Sequence, residues 1–154
     1  MPKQSAGILL YKLIGNELQV MLVHPGGPFF AKKDLGAWSI PKGEGEEGEE
    51  LLDVAKREFK EELGMEILGV FTPLNPIKQK GGKVVHAWAV ENSMDVSNFT
   101  SNTFTIEWPP KSGKMKEFAE IDRAEWFSIP VAKEKINAAQ VALIDELAAT
   151  LKLT

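Results

Sequence analysis

The chain has 154 residues, of which 44% are hydrophobic, and a formal net charge of −4 at pH 7, which predicts a single domain over residues 1–154. It has no cysteine, so disulfides, zinc-thiolate sites and cysteine nucleophiles are excluded. The absence of a signal-peptide core, of an apolar run of 18 residues and of a Lys/Arg tract predicts a cytoplasmic protein that binds neither membranes nor nucleic acid.

The first predicted elements form a β-hairpin. Residues 5–12 and 17–24 are short apolar runs, and the Gly15-Asn16 pair between them is a turn signal. A run of prolines and glycines then excludes regular structure through about Pro28.

The next segment, residues 29–37, is a predicted loop with two adjacent phenylalanines and two adjacent lysines. Phe29 could stack on a base, and Lys32 and Lys33 could contact a polyphosphate. A plain surface loop with phenylalanine packed beneath it explains the same residues, so both interpretations stay open. A short strand at residues 38–42 is predicted to follow.

An acidic stretch at residues 43–65 comes next, with nine acidic residues against three basic ones. Residues 49–63 contain no Gly or Pro, and Gly64 stands where a left-handed C-terminal cap belongs, so a helix is predicted. At about 100° per residue, one side of this helix is apolar and another is acidic. The acidic side carries Glu58, Glu61 and Glu62.

This acidic side is electrostatically costly. Glu58 and Glu62 are like charges at i and i+4, and the last helical turn already favours cations. A hard cation such as Mg²⁺ would compensate, because it binds through a few carboxylates together with substrate phosphates. The alternative is a solvated, charge-laced surface helix.

The same stretch resembles the Nudix box, a signature of the Nudix hydrolase family. It matches at every fixed position of the box, which are Gly43, Glu49, Arg57, Glu58, Phe59, Lys60, Glu61, Glu62, Leu63, Gly64 and Met65. The resemblance implies an α/β (α+β) fold, in which a mixed β-sheet lies between helices in an α/β/α sandwich. It also implies cleavage of a nucleoside diphosphate linked to another group X, using Mg²⁺ or Mn²⁺ and more than one ion.

The resemblance also implies roles for individual residues. The metal ligands would be Glu58, Glu61, Glu62 and the Gly43 carbonyl. Arg57 and Glu49 would pair and hold the metal-binding helix to its preceding loop, which a bidentate contact does better than Lys could. Taken out of context, such a pair is an ordinary surface ion pair.

Lys42 stands immediately before the box, where its ammonium could meet a substrate phosphate. The Trp38-x-x-Pro41-Lys42-Gly43 entry resembles family members that act on dinucleoside polyphosphates or diphosphoinositol polyphosphates. Many nucleoside triphosphate and ADP-ribose enzymes have a second glycine where Lys42 stands.

After the helix, strands are predicted at residues 66–72 and 83–91, separated by a loop at residues 73–82. Alternation places His86 and Trp88 on one face of the second strand, where they could line a nucleotide pocket. A hydrogen-bonded His beside a core Trp is the simpler interpretation.

The last third contains a predicted strand at residues 103–108, a lysine-rich loop at residues 111–116 and an amphipathic helix at residues 131–151. In the Nudix family, a loop glutamate just before the final strand often binds a further metal or acts as a base. Glu120 is the candidate and Glu117 the reserve, although an acidic loop without a special role remains an alternative.

The predicted reaction is metal-dependent hydrolysis of a phosphoanhydride, with a dinucleoside polyphosphate such as diadenosine tetraphosphate or hexaphosphate as the preferred substrate. The water proton would pass to Glu58, Glu61 or Glu120, and the sequence does not choose among them. Three alternatives remain: a nucleoside triphosphate pyrophosphohydrolase, a non-catalytic nucleotide sensor and an acidic helix that docks a basic partner. The sequence indicates no oligomeric state.

Overall fold

A mixed sheet forms the centre of the protein, whose computed structural model describes residues 4–151. The strands are β1 (Gln4–Ile14), β2 (Glu17–Pro25), β3 (Lys42–Glu44), β4 (Thr72–Pro73), β5 (Ile77–Lys78), β6 (Val84–Glu91), β7 (Thr103–Glu107), β8 (Met115–Ala119) and β9 (Ile121–Ser128). The helices are α1 (Leu51–Leu63), α2 (Ile129–Lys135) and α3 (Val141–Thr150), with a 3₁₀ turn at Ala138–Gln140.

The sheet order is β4-β6-β1-β2-β9, with β3 paired to β1 and β5 paired to β6. Strands β1 and β6 are parallel, and the other pairs in this sheet are antiparallel. The beginning of β1 pairs with β3, whereas its end pairs with β2. Strands β7 and β8 form a separate two-stranded sheet.

Side-chain alternation on β1 divides the core into two layers. Ile8 and Leu10 point to one face of the sheet and Leu9 to the other. The first layer packs against Phe59 and other residues of α1, and the second packs against residues of α2 and α3, among them Leu143. The predicted α/β/α sandwich with a mixed sheet is therefore confirmed. Among the described residues, no helix is long and apolar enough to cross a membrane.

The strand predicted at residues 66–72 is wrong, because only Thr72 and Pro73 pair with β6. Gly69 lies at φ 142°, which interrupts an extended strand, and β6 ends at Glu91, so the register that pairs Thr72 with Ala89 leaves no β6 residue opposite residues 66–69. Val70 is consequently 81% exposed.

The single helix predicted at residues 131–151 is also wrong. The chain leaves α2 at Ile136, which is extended and forms a bridge with Trp38. The Asn137 N–H then donates to the Trp38 carbonyl at 2.7 Å, and the Asn137 side chain accepts from the Ala139 N–H at 2.9 Å. These contacts end one helix and start the next turn.

Smaller boundaries differ in three places. The predicted strand at residues 38–42 is reduced to isolated bridges, and regular pairing begins only at β3. The predicted loops at residues 73–82 and 111–116 contain β5 and the start of β8, respectively. Helix α1 begins two residues later than predicted and ends, as predicted, at Gly64, whose φ is 70°.

Candidate active site

Glu62 is the most unusual carboxylate of the site. It lies in the last turn of α1 and is only 9% exposed, and its Oε2 atom is buried without a hydrogen-bond partner among residues 4–151. Burial, followed by the charges of Glu58 and Glu120, raises its pKa to about 8, although the Lys42 backbone N–H bonds to this carboxylate. The fold therefore keeps a carboxyl group in a position where its charge lacks compensation.

Glu58 lies one helical turn earlier and packs against the backbone of β3. A Cβ atom on Gly43 would lie 2.1 Å from the Glu58 carboxyl carbon, so only glycine permits this approach. The Glu58 side chain is 14% exposed. Burial raises its pKa, the charges of Glu61 and Glu120 act in the same direction, and Arg57 opposes them.

Arg57 joins α1 to the loop that precedes it. Its Nε and Nη2 atoms donate to the two carboxylate oxygens of Glu49 at 3.2 and 3.0 Å. Its Nη1 atom donates to Glu58 at 3.2 Å and to Glu61 at 3.4 Å. Glu49 also accepts from the Glu46 N–H, and this bond, followed by that from Arg57, lowers the Glu49 pKa. The guanidinium thus positions one loop carboxylate and two helix carboxylates.

A cavity of about 280 Å³ lies beside Glu62 and Lys42. Its lining consists of Val23, Pro25, Ser39, Ile40, Lys42, Glu62, Glu120 and Ile121. Burial lowers the pKa of the Lys42 ammonium, with Lys83 acting in the same direction and Glu62 opposing. Glu120, in the turn between β8 and β9, is close enough to raise the pKa of both Glu58 and Glu62.

The chemistry of these donors fits a hard cation, because they are carboxylate oxygens and one carboxylate oxygen is buried without a partner. The expected convergence of Glu58, Glu61 and Glu62 on one point is not present, however. Within residues 4–151, no three carboxylate or imidazole side chains stand close enough to hold a metal ion as they are placed. Arg57 accounts for part of this, since it binds oxygens of both Glu58 and Glu61.

The aromatic residues predicted to bind substrate are placed differently from one another. Phe29 is 61% exposed, and its ring meets that of Trp108 edge to face at 5.4 Å. Trp88, in contrast, packs against the core layer on the α1 side. His86 is hydrogen-bonded to Gln4. Neither His86 nor Trp88 lines the cavity.

The lysines of the loop at residues 29–37 lie near its surface. Lys32 is exposed, and Lys33 places its Nζ atom 5.3 Å from the centre of the Phe30 ring. The Lys33 carbonyl accepts a 2.7 Å hydrogen bond from the Nε2 atom of His24, which is buried. This bond anchors the loop to β2.

Two residues of this region were missed by the sequence analysis. His24 bonds through Nδ1 to Asp122 at 2.7 Å, in addition to its bond to the loop. Trp108 was predicted only as the end of a strand, and its contact with Phe29 joins the loop to the β7–β8 hairpin. The His24–Asp122 and Phe29–Trp108 contacts link segments that are far apart in sequence, so no local pattern indicates them.

Comparison with known proteins agrees with the geometry. The NUDIX domain family model matches residues 2–147, and no curated protein sequence matches the chain. One similar structure is a Caenorhabditis elegans Ap4A hydrolase binary complex, with 21% identity, TM-score 0.67 and coverage of 96% of this chain and 98% of that one.

Two other structures have the same TM-score of 0.67. The NUDIX domain of Shewanella oneidensis NrtR, complexed with ADP ribose, is 16% identical, over 98% of this chain and 89% of that one. A NUDIX hydrolase from Listeria monocytogenes, described as putative, is 18% identical, over 99% and 95%. At these identities the structures establish the fold alone. The family match is decisive, and the chain belongs to the Nudix domain family, as a hydrolase of pyrophosphate bonds in nucleotide substrates.

Proposed function

We propose that the protein hydrolyses a phosphoanhydride bond in a nucleoside diphosphate linked to X, with Mg²⁺ or Mn²⁺, and that a dinucleoside polyphosphate is its substrate. The observation that carries this proposal is the buried, unpartnered oxygen of Glu62 at a cavity shared with Lys42 and Glu120. A site with surplus carboxylate charge beside an ammonium suits a phosphate group that arrives together with a cation.

The residues that would hold the metal ions are the Gly43 carbonyl, Glu58, Glu61, Glu62 and Glu120. Bound there, the ions would supply Lewis-acid chemistry, which would activate a water molecule and stabilise negative charge on the departing phosphate. Arg57 and Glu49 act as positioning residues, because their bidentate contact fixes α1 against its preceding loop. If Arg57 released its hydrogen bonds to Glu58 and Glu61, oxygens of both carboxylates would be free to bind the ions.

The Lys42 ammonium binds a phosphate of the substrate in this proposal. Its position favours the role, because it lines the cavity together with Glu62 and Glu120. Lys32 and Lys33 add positive charge at the exposed loop. The proton of the attacking water passes to Glu58, Glu61 or Glu120, which are the carboxylates that could accept it.

Dinucleoside polyphosphates are favoured by the Trp38-x-x-Pro41-Lys42-Gly43 entry. The likeness in fold to an Ap4A hydrolase supports the same substrate class. The Shewanella NUDIX domain complexed with ADP ribose makes ADP-ribose a necessary comparison. The proposal keeps the expectation of a cytoplasmic, single-domain enzyme.

A turnover panel tests the proposal. Equal concentrations of diadenosine tetraphosphate, diadenosine hexaphosphate, ATP, ADP-ribose and a diphosphoinositol polyphosphate are supplied with Mg²⁺, and products are separated by ion-exchange chromatography. We expect the diadenosine polyphosphates to give the highest kcat/KM and the Glu62→Gln protein to lose activity. Glu66→Gln is the matched control, since that side chain is 72% exposed. Tight nucleotide binding without turnover of any compound would instead identify a sensor.

A further inference from the structure

The β7–β8 hairpin has one face that combines aromatic and basic side chains. Residues directly opposite each other in an antiparallel pair point to the same face. The register pairs Phe104 with Phe118 and Ile106 with Lys116, and the Trp108 N–H donates to the Lys114 carbonyl at 2.8 Å. From the Glu120 end outward, this face, called here the hairpin face, carries Phe104 with Phe118, Ile106 with Lys116, and Trp108 with Lys114.

The hairpin face looks toward the loop that follows β2. A Cβ atom on Gly27 would lie 2.7 Å from the Phe104 ring, and the Phe29 ring contacts Trp108. The Gly26 N–H donates to the Glu120 carbonyl at 2.8 Å. The loop and the hairpin therefore run side by side, starting at the cavity and ending at the Phe29–Trp108 pair.

The length of the hairpin determines the distance between Glu120, at the cavity, and Trp108, at the other end. Thr103 pairs with Ala119, next to Glu120, whereas Trp108 follows the last residue of β7. At about 3.4 Å per residue, Trp108 lies about 17 Å from the Glu120 end. A base stacked at Trp108 can belong to a molecule cleaved beside Glu58 and Glu62 only when several phosphates separate the base from the cleaved bond.

The outer end of the hairpin is held in shape by its own hydrogen bonds. The two carboxylate oxygens of Glu107 accept from the N–H groups of Lys111 and Gly113 at 2.9 and 3.2 Å. Lys114 and Lys116 are exposed, and within residues 4–151 neither forms an ion pair. The two ammonium groups are consequently available to an anionic ligand on the hairpin face.

We propose that the hairpin face binds the distal nucleoside of a dinucleoside polyphosphate, with its base on Trp108 and Phe29 and its phosphates on Lys114 and Lys116. The inference rests on the proposed function for the identity of the cleaved molecule. One elongated ligand would then account for the exposed Phe29 ring, the half-buried Trp108 ring and two lysines that form no ion pair within residues 4–151.

Isothermal titration calorimetry with Mg²⁺ tests this site without turnover. The ligands are a methylene-bridged analogue of diadenosine tetraphosphate, which resists hydrolysis, and inorganic tripolyphosphate, which has no base to stack on Trp108. We expect Trp108→Ala to weaken binding of the analogue about tenfold, as for loss of one base-stacking contact, and to leave the Kd of tripolyphosphate unchanged. Trp108→Phe should restore most of the affinity.

Two control variants separate the hairpin face from general effects on the fold. Met115→Ala removes an exposed apolar side chain from the opposite face of the hairpin, and Lys80→Ala removes an exposed lysine from a distant turn. Neither should change the Kd of the analogue, whereas Lys114→Ala and Lys116→Ala should weaken it.

The outcomes distinguish this inference from the proposed function. Equal weakening of tripolyphosphate and the analogue by Trp108→Ala, or no weakening of either, would overturn the distal site, even if diadenosine tetraphosphate is hydrolysed. The expected pattern in a protein that hydrolyses no diadenosine polyphosphate would uphold the binding site and reject the proposed reaction.

Discussion

Replacement of Glu62 by Gln should stabilise the protein in the absence of divalent ions while it abolishes hydrolysis. Glu62 is 9% exposed and has one buried oxygen that accepts no hydrogen bond from the described part of the chain. Glutamine occupies the same space, still accepts the bond from the Lys42 N–H and carries no charge. The variant therefore removes an electrostatic cost that the wild-type fold bears when the carboxyl group ionises.

The magnitude follows from the raised pKa. The Glu62 pKa is about 8 in the folded protein against an ordinary value of 4.5, so between these pH values the folded state holds a proton that the unfolded state has lost. The free energy of unfolding of the wild type accordingly falls as pH rises from about 4.5 to about 8. At ~1.4 kcal/mol per pH unit, the gain from Glu62→Gln is about 3 kcal/mol at pH 7 and vanishes by about pH 4.

Urea unfolding measured at several pH values between 4 and 8, with EDTA present, checks this expectation. Glu66→Gln serves as control, because its exposed carboxylate is 72% accessible. Saturating Mg²⁺ should then stabilise the wild type more than the Glu62→Gln protein, since only the former keeps the ligand. A stability difference that does not change between pH 4 and pH 7 would refute the reasoning.

Three further predictions concern the surroundings of this carboxylate. Arg57→Lys should lower kcat about 10- to 100-fold, because Lys cannot make the bidentate contact to Glu49, and circular dichroism should show an almost unchanged Tm. Gly43→Ala should weaken Mg²⁺ binding measured by calorimetry, because the added Cβ displaces the Glu58 carboxylate; an unchanged Kd would contradict this. Gln140→Leu should lower the free energy of unfolding by about 1–3 kcal/mol, measured with urea, because it removes a buried amide whose oxygen accepts a backbone N–H at 3.0 Å.

Much of the sheet could be predicted because its long strands have recognisable local sequence patterns. Strands β1, β2 and β6 are apolar runs bounded by turn residues, and each was placed within a few positions of its observed limits. The segment from Ile67 to Phe71 has the same local character. It does not form a strand, because Gly69 lies at φ 142° and β6 ends at Glu91, so the register that pairs Thr72 with Ala89 leaves no β6 residue opposite residues 67–69.

The prediction of a single helix at residues 131–151 was wrong for a similar reason. The apolar stripe from residue 131 onward continues through Ile136, so periodicity alone predicts an unbroken helix. The break depends on the backbone of Trp38, 98 residues earlier, which bonds to both Lys135 and Asn137. A contact between residues so far apart in sequence cannot be inferred from the local sequence pattern.

The candidate site was predictable in its chemistry and less so in its geometry. Helical periodicity placed Glu58 and Glu62 together on one side of α1, and their electrostatic coupling agrees with this. Periodicity did not indicate that Glu62 would be buried, nor that Arg57 would bind Glu61 as well as Glu49. Both features depend on how the β3 backbone and the preceding loop pack against the helix.

The backbone of Glu120 is tied on both sides to other segments. Its N–H donates to the Asn102 carbonyl and its carbonyl accepts from the Gly26 N–H, both at 2.8 Å. Because these bonds form during folding, most of the conformational entropy of this turn is lost before any ligand arrives. Insertions or deletions in either adjoining segment would therefore shift a negative charge at the cavity, so loop length here is a means by which evolution can retune the site without changing its residues.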